Sequence, residues 1–269
     1  MAISIEETKK VRSLFLSDIH LGTLGSQADL LLVFLKLHDA ETIYLVGDII
    51  DGWRLRKFWF WPQCHIDVVQ ALLDKARAGA RVIYIPGNHD EFLRDFLGMH
   101  SGGVEVMDQC IHEGANKKKY LVTHGDQFDV VVSHARWLAF FGDWAYVTAL
   151  KLNTVINYCR RKMGLTYWSF AAWAKQKVKK AVNAVGKYEK TLVFEARRQN
   201  VQGVICGHVH HAASHETNGI HYINTGDWVE SCTAITESFD GTYEVIRWGG
   251  STKLSDATGA LTDGQQVAA

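Results

Sequence analysis

The chain has 269 residues, 47% of them hydrophobic, with 29 Lys/Arg against 29 Asp/Glu. That is enough apolar material for a sizeable core, and a net charge of zero excludes a global field aimed at nucleic acid. The balance conceals an asymmetry: residues 131–200 hold 13 Lys/Arg and 3 Asp/Glu, a basic block on a mildly acidic body, and the two have different expected partners. Five widely spaced cysteines without a CxxC (Cys64, Cys110, Cys159, Cys206 and Cys232) suit the reduced thiols of a cytosolic protein. Met1–Lys10 has no apolar h-region, so no signal peptide is expected. The longest apolar stretches, such as Leu30–Leu35, are too short to cross a bilayer, which leaves peripheral membrane contact.

Val11–Ser17 reads as a buried strand ending in Asp-x-His, and Ala28–His38 has helical periodicity. Thr42–Val46 is a second apolar strand, followed by Gly-Asp. His65–Ala78 reads as a helix, and Arg81–Ile85 as a strand followed by Pro-Gly-Asn-His-Asp. Tyr120–Thr123 and Val201–Cys206 read as further strands. Strands alternating with helices predict crossover units and an α/β fold. Between Thr123 and Val201 the basic block has no proline, few glycines and 12 aromatics. It predicts several helices inserted into a domain of residues 1–249. From Ile220 short strands follow, with Asn218-Gly219 and Asp240-Gly241 as hairpin signals. Residues 250–269 are small and polar, and a disordered tail is expected there.

Five segments place metal-ligand side chains just past an apolar strand: Asp18-Ile19-His20, Gly47-Asp48-Ile49-Ile50-Asp51, Gly87-Asn88-His89-Asp90, His124-Gly125-Asp126 and Gly207-His208-Val209-His210. Ligands of open α/β sheets bind at the carboxyl ends of strands. A packed core has no reason to gather these groups, whose unpaired burial would be costly. Singly each segment is weak; together, in this order, they point to divalent cations held by oxygen and nitrogen donors. The glycines before Asp48, Asn88 and His208 are expected to permit turns that a Cβ would obstruct. His38, His65, His100, His112, His134, His211, His215 and His221 are expected to be surface or internally satisfied histidines.

These residues resemble the calcineurin-like metallophosphoesterases, whose pattern is D-x-H, G-D-x-x-D, G-N-H-[DE], H and G-H-x-H. The resemblance implies a β-sandwich flanked by helices and two divalent metals, manganese first, with iron, zinc or magnesium as alternatives. It implies Asp18, His20 and His210 on one metal, Asn88, His124 and His208 on the other, and Asp48 bridging. A water between the cations becomes the nucleophile. His89 would protonate the leaving oxygen, Asp90 would orient His89, and Asp51 is expected in a turn or supporting role.

Gly52-Trp53, the helical insertion and Asn224-Thr225-Gly226-Asp227-Trp228 resemble more narrowly the UDP-2,3-diacylglucosamine diphosphatases, which release UMP and a lipid 1-phosphate. Those enzymes carry Arg where this chain has His89, so a phosphatase or phosphodiesterase acting on a soluble nucleotide, phosphoprotein or nucleic acid is the second reading. For the lipid reading, Trp53 is a substrate-binding candidate, Trp137, Phe140, Phe141, Trp144, Tyr146 and Trp168 are candidates for the acyl site, and Arg160, Arg161, Lys162, Lys175, Lys177, Lys179 and Lys180 for phosphates or an anionic inner-membrane surface reached from the cytoplasm. The run Trp53–Trp61, interleaved with Arg54, Arg56 and Lys57, is a candidate membrane-touching or lid element. No obligate nucleic-acid partner is expected.

Overall fold

The structure, a computed structural model, describes residues 8–128, 162–163 and 185–249. Contacts divide the chain into two compact units, Met1–Asp126 with Glu195–Ala269, and Gln127–Phe194. Within the second, the described residues are 127–128, 162–163 and 185–194, the last run belonging to a helical stretch over 185–198.

The first unit is built on two sheets. Its central strands β1 (Lys9–Leu16), β2 (His38–Val46) and β3 (Arg81–Ile85) run parallel. They are extended on one side by β5 (Val104–Val106) and β4 (His100–Ser101), and on the other by antiparallel β11 (Thr233–Glu237) and β12 (Tyr243–Arg247). The second sheet runs β6 (Gln109–Glu113), β7 (Lys119–Thr123), β8 (Gly203–Cys206), β10 (Ile220–Asn224), β9 (Ala213–Thr217). This is the mixed α/β architecture expected.

Strand alternation explains the layers. On β1, Leu14 and Leu16 face Leu31, Phe34 and Leu35 of α1 (Ala28–Leu37) and Val68 and Leu72 of α3 (Gln63–Arg77). Phe15 faces the other way. With Tyr44, Val46, Ile83, Ile85 and Ile235 it forms one core with Tyr120, Val122, Ile205 and Ile223 of the second sheet. The first sheet is therefore buried on both faces, which is why its parallel strands read as nearly continuous apolar runs.

A buried charge network crosses the sandwich. Glu237 on β11 accepts from Ser13 Oγ at 2.7 Å and Arg12 Nη1 at 2.8 Å on β1, and from the Ala115 amide at 2.8 Å. His112 Nε2 on β6 lies 2.9 Å from the same carboxylate, and His112 Nδ1 lies 2.9 Å from the Tyr44 hydroxyl. Burial alone would raise the Glu237 carboxyl; the His112, Ala115 and Ser13 donors outweigh it and hold it down to about 2.

β4, β5, β6 and the single-turn helix α2 (Gly52–Leu55) do not show in the sequence pattern. The strands among them are short or have one buried residue, as in β6 where His112 alone is buried, so no apolar period marks them. The Asn218-Gly219 signal does close a hairpin: Thr217 pairs with Ile220, and both turn residues have positive φ, +52° and +75°.

Candidate metal centre

The carboxyl ends of β1, β2 and β3 from one sheet, and of β7 and β8 from the other, deliver the polar segments. The chain leaves these strands sharply. Asp18, His20, Asp48, His208 and His210 hold φ of +50°, +52°, +54°, +71° and +51°, a left-handed conformation unfavourable for residues with a Cβ. Such strain persists where the surrounding structure over-determines it and clusters at functional sites. Gly47 before Asp48 is itself at φ +80°. Gly87 serves by its size: a Cβ there would collide with Asp48 Oδ1 and His124.

Three groups of ligand-type atoms result, Asp18 with His20 and His210, Asp48 with His124 and His208, and His20 with Asp51 and His89, the atoms of each within 4.8 Å of one another. His20 Nε2 and His210 Nε2 face each other at 3.4 Å. That is the spacing of two nitrogens each about 2.0–2.1 Å from one cation at a near-tetrahedral angle. Asp18 Oδ1 lies 2.9 Å from His210 Nε2, while Oδ2 is fixed by Ser17 Oγ at 2.6 Å and the His208 amide at 2.9 Å. The second group is oriented in the same manner. His124 Nδ1 lies 2.9 Å from the Val46 carbonyl, which turns Nε2 towards Asp48 Oδ2 at 3.4 Å.

Asp48 joins the first two groups. Its Oδ1 accepts from the His89 amide at 2.8 Å. Its Oδ2 is buried, takes no hydrogen bond, and lies 3.9 Å from His20 Nε2, which belongs to the first group. Asn88 Oδ1 is likewise buried without a donor. Buried oxygens of this kind are costly unless a cation engages them, so the donor set fits divalent metal. Burial opposes ionisation of Asp18 and of Asp48, yet His210 beside the one and His124 beside the other hold both well below the usual carboxylate range. Burial also disfavours charge on His124, and the Asp48 carboxylate outweighs it, pushing the imidazole up to about 10. The field that draws a proton there favours a cation in the same place.

His89 stands at the rim with Nε2 4.0 Å from Asp48 Oδ2. The acid behind it is Asp51, whose Oδ2 lies 3.0 Å from His89 Nδ1 and 3.3 Å from His20 Nδ1. This corrects the expectation that Asp90 orients His89. The Asp90 carboxylate instead accepts from the Gly87 amide at 2.6 Å, the Ile49 amide at 2.8 Å and the Tyr84 hydroxyl at 2.6 Å. It ties the β2 and β3 turns together, and burial and the like charge of Asp48 raise its pKa. Asp51 also caps α2, accepting from the Arg54 amide at 2.8 Å. The only sequence signal for its double duty was the second Asp of Gly-Asp-x-x-Asp.

Trp53 follows directly, its ring 4.3 Å from that of His89. Of the other substrate candidates, Lys162 is among the described residues, and Trp137, Phe140, Phe141, Trp144, Tyr146, Arg160, Arg161, Trp168, Lys175, Lys177, Lys179 and Lys180 lie outside them. Two supporting segments had no assigned role in the sequence reading. The Trp228 amide donates to the Asp18 carbonyl at 3.0 Å and Thr225 Oγ1 lies 2.5 Å from Ser17 Oγ, so 224–228 is a platform beneath the first group. Asp126, after His124, accepts from Arg94 Nη2 at 2.8 Å and pins the loop beyond β3. Several of the remaining histidines are hydrogen-bonded elsewhere, His65 accepting from the Gly22 amide and His221 lying beside Tyr120 and Ser214.

Residues 11–212 match the family described as calcineurin-like phosphoesterase, three quarters of the chain and all five segments. The chain belongs to the calcineurin-like phosphoesterase family. This phosphoesterase is 27% identical over 240 residues to the UDP-2,3-diacylglucosamine hydrolase of Neisseria gonorrhoeae, covering 80% of the chain and 89% of that protein. It is 25% identical over 213 residues to the protein of that name from Chromohalobacter salexigens, covering 76% and 82%. Among solved structures it is similar to a Vps29 mutant from Entamoeba histolytica, with TM-score 0.44, 14% identity, and 88% and 99% of the two chains covered. Family and relatives make the phosphoesterase a metal-dependent phosphoester hydrolase. Among the described residues no helix is long and apolar enough to cross a membrane.

Proposed function

We propose that the chain is a dinuclear pyrophosphate hydrolase that cleaves a UDP-2,3-diacylglucosamine-like glycolipid to UMP and the lipid 1-phosphate, on the cytoplasmic face of the inner membrane. The observation that carries the dinuclear chemistry is the buried, hydrogen-bond-free Asp48 Oδ2, set 3.4 Å from His124 of one group and 3.9 Å from His20 of the other. The substrate rests on the hydrolases that share a quarter of their residues with this chain.

Asp18, His20 and His210 would hold one cation, and Asn88, His124 and His208 the other, with Asp48 shared; manganese is the first candidate, with iron, zinc and magnesium as alternatives. Bound cations supply an acidified water for in-line attack and neutralise charge developing on the phosphoryl oxygens. The protein's part is positioning and protons. Asp51 takes up the Nδ1 side of His89, so Nε2 faces the centre and can donate to the leaving phosphate oxygen. The Val46 carbonyl and the Asp51 carboxylate set the rings of His124 and His20 in the same manner.

The His89–Asp51 pair also supports a second reading. An imidazole acid backed by a carboxylate suits a soluble phosphodiester as well as a lipid pyrophosphate, and the diphosphatases resembled above carry Arg there. Assay of manganese-loaded protein on UDP-2,3-diacylglucosamine in detergent, beside an aryl phosphodiester, separates the two. UMP release with kcat/KM well above that for the diester is expected; diester turnover without UMP release rules out the lipid substrate and keeps the hydrolase.

A further inference from the structure

The segment after Asp51 is Gly52-Trp53-Arg54-Leu55-Arg56-Lys57-Phe58-Trp59-Phe60-Trp61-Pro62, with five aromatics, three cations and no acid. An ordinary reading would bury the aromatics and solvate the cations. The structure does this for two of the five aromatics. Phe60 and Trp61 turn inward and meet the buried His65 edge-on, at 5.7 and 5.5 Å between ring centres. Leu55 lies over Gly22, where a Cβ would come within 2.8 Å of it. At the start of the segment Trp53 rests on His89, and the Gly52 amide donates to the His89 carbonyl at 3.0 Å.

With both ends anchored, Phe58 and Trp59 are each 72% exposed, among the exposed side chains of Arg54, Arg56 and Lys57. Two adjacent aromatics held in solvent cost free energy in an isolated molecule, and their anchored neighbours have already covered the local core. Large aromatics flanked by cations match the headgroup boundary of an anionic bilayer. There the rings enter the apolar side while Arg and Lys meet lipid phosphates.

We infer that the loop Arg54–Trp59 is a docking finger for an anionic phospholipid membrane. It inserts Phe58 and Trp59 at the headgroup level and brings the metal centre, through Trp53 and His89, to the surface where a lipid-linked pyrophosphate would be presented. The inference rests on the lipid reading above for its purpose, but not for its detection.

The test is co-sedimentation of the full, manganese-loaded chain with vesicles of phosphatidylcholine, with and without phosphatidylglycerol. Wild type is expected to bind the phosphatidylglycerol vesicles and to bind phosphatidylcholine alone far more weakly. Phe58→Ser with Trp59→Ser should weaken binding at least roughly tenfold while leaving aryl phosphodiester turnover unchanged, which also reports that the variant is folded. Arg54→Gln, Arg56→Gln and Lys57→Gln together should cost roughly fivefold per cation. Equal binding by the aromatic variant and wild type would overturn the proposal and place any membrane contact elsewhere. So would vesicle binding indifferent to phosphatidylglycerol, or tight binding to a single-stranded oligonucleotide in place of vesicles. Vesicle binding that persists when UDP-2,3-diacylglucosamine is not hydrolysed would remove the substrate assignment and leave the finger intact.

Discussion

Asp51 and Asp90 flank one catalytic candidate in different ways, and their variants should separate accordingly. Asp51→Asn removes the acid 3.0 Å from His89 Nδ1 and 3.3 Å from His20 Nδ1. The expected result is a loss of roughly 10- to 100-fold in kcat and a parallel weakening of metal affinity, with the limb of the pH–rate profile that reports the proton donor displaced. Asp90→Asn disturbs a carboxylate bound by turn amides and Tyr84. It should lower unfolding stability by about 1–3 kcal/mol and leave that limb in place. If Asp90→Asn moved the pH profile and Asp51→Asn did not, the geometric assignment would be reversed. Asp48→Asn should abolish turnover and reduce the metal retained on dialysis, because Oδ2 is the oxygen the two groups share. His89→Ala should slow turnover by roughly 10²–10⁴ with metal retained, measured by turnover and metal analysis on the same sample.

At the scale of elements, the site depends on how strands end. Each candidate ligand segment leaves its strand within a few residues, and positive φ at Asp18, His20, Asp48, His208 and His210 turns side chains from separate strands towards a common centre. The same conformation can be tested away from the chemistry in the β9–β10 hairpin. Gly219 has φ +75° and open space around its Cα, so Gly219→Ala tests backbone conformation without a clash. It should cost about 1 kcal/mol in urea unfolding and leave kcat/KM unchanged. A neutral effect would show that the turn relaxes out of the left-handed region.

For the whole molecule, the decisive packing is sheet on sheet, and Glu237 is the charged link across it. Its carboxyl is held down to about 2 in the folded chain against an ordinary value of 4.5. The folded state is thus favoured by ionised Glu237. That contribution is fully present above about pH 4.5 and lost as pH falls towards about 2. Glu237→Gln should reduce stability at neutral pH by about 2–3 kcal/mol and flatten the fall between those values. A variant whose acid limb matched wild type would place acid sensitivity in other carboxylates.

How much of this was legible in the chain follows from what local chemistry can encode. Apolar runs with carboxylates, imidazoles and glycines at their ends were enough to locate β1, β2, β3, β7 and β8 and the ligand segments, because strand burial and tight turns both write residue types directly into the sequence. Edge strands such as β4 and β6 left no such mark, since their pairing rests on backbone hydrogen bonds that any residue supplies. Nor could sequence choose between Asp51 and Asp90 as the partner of His89. Both carboxylates sit close to the catalytic segment, and only the turn amides and Tyr84 converging on one of them leave the other facing the imidazole. The chain by itself determined which donors exist and that they stand at strand ends, and its resemblance to a metallophosphoesterase family supplied the hydrolytic chemistry expected of them; the packing of two sheets, by bringing distant turns within hydrogen-bonding range, decided what each donor touches.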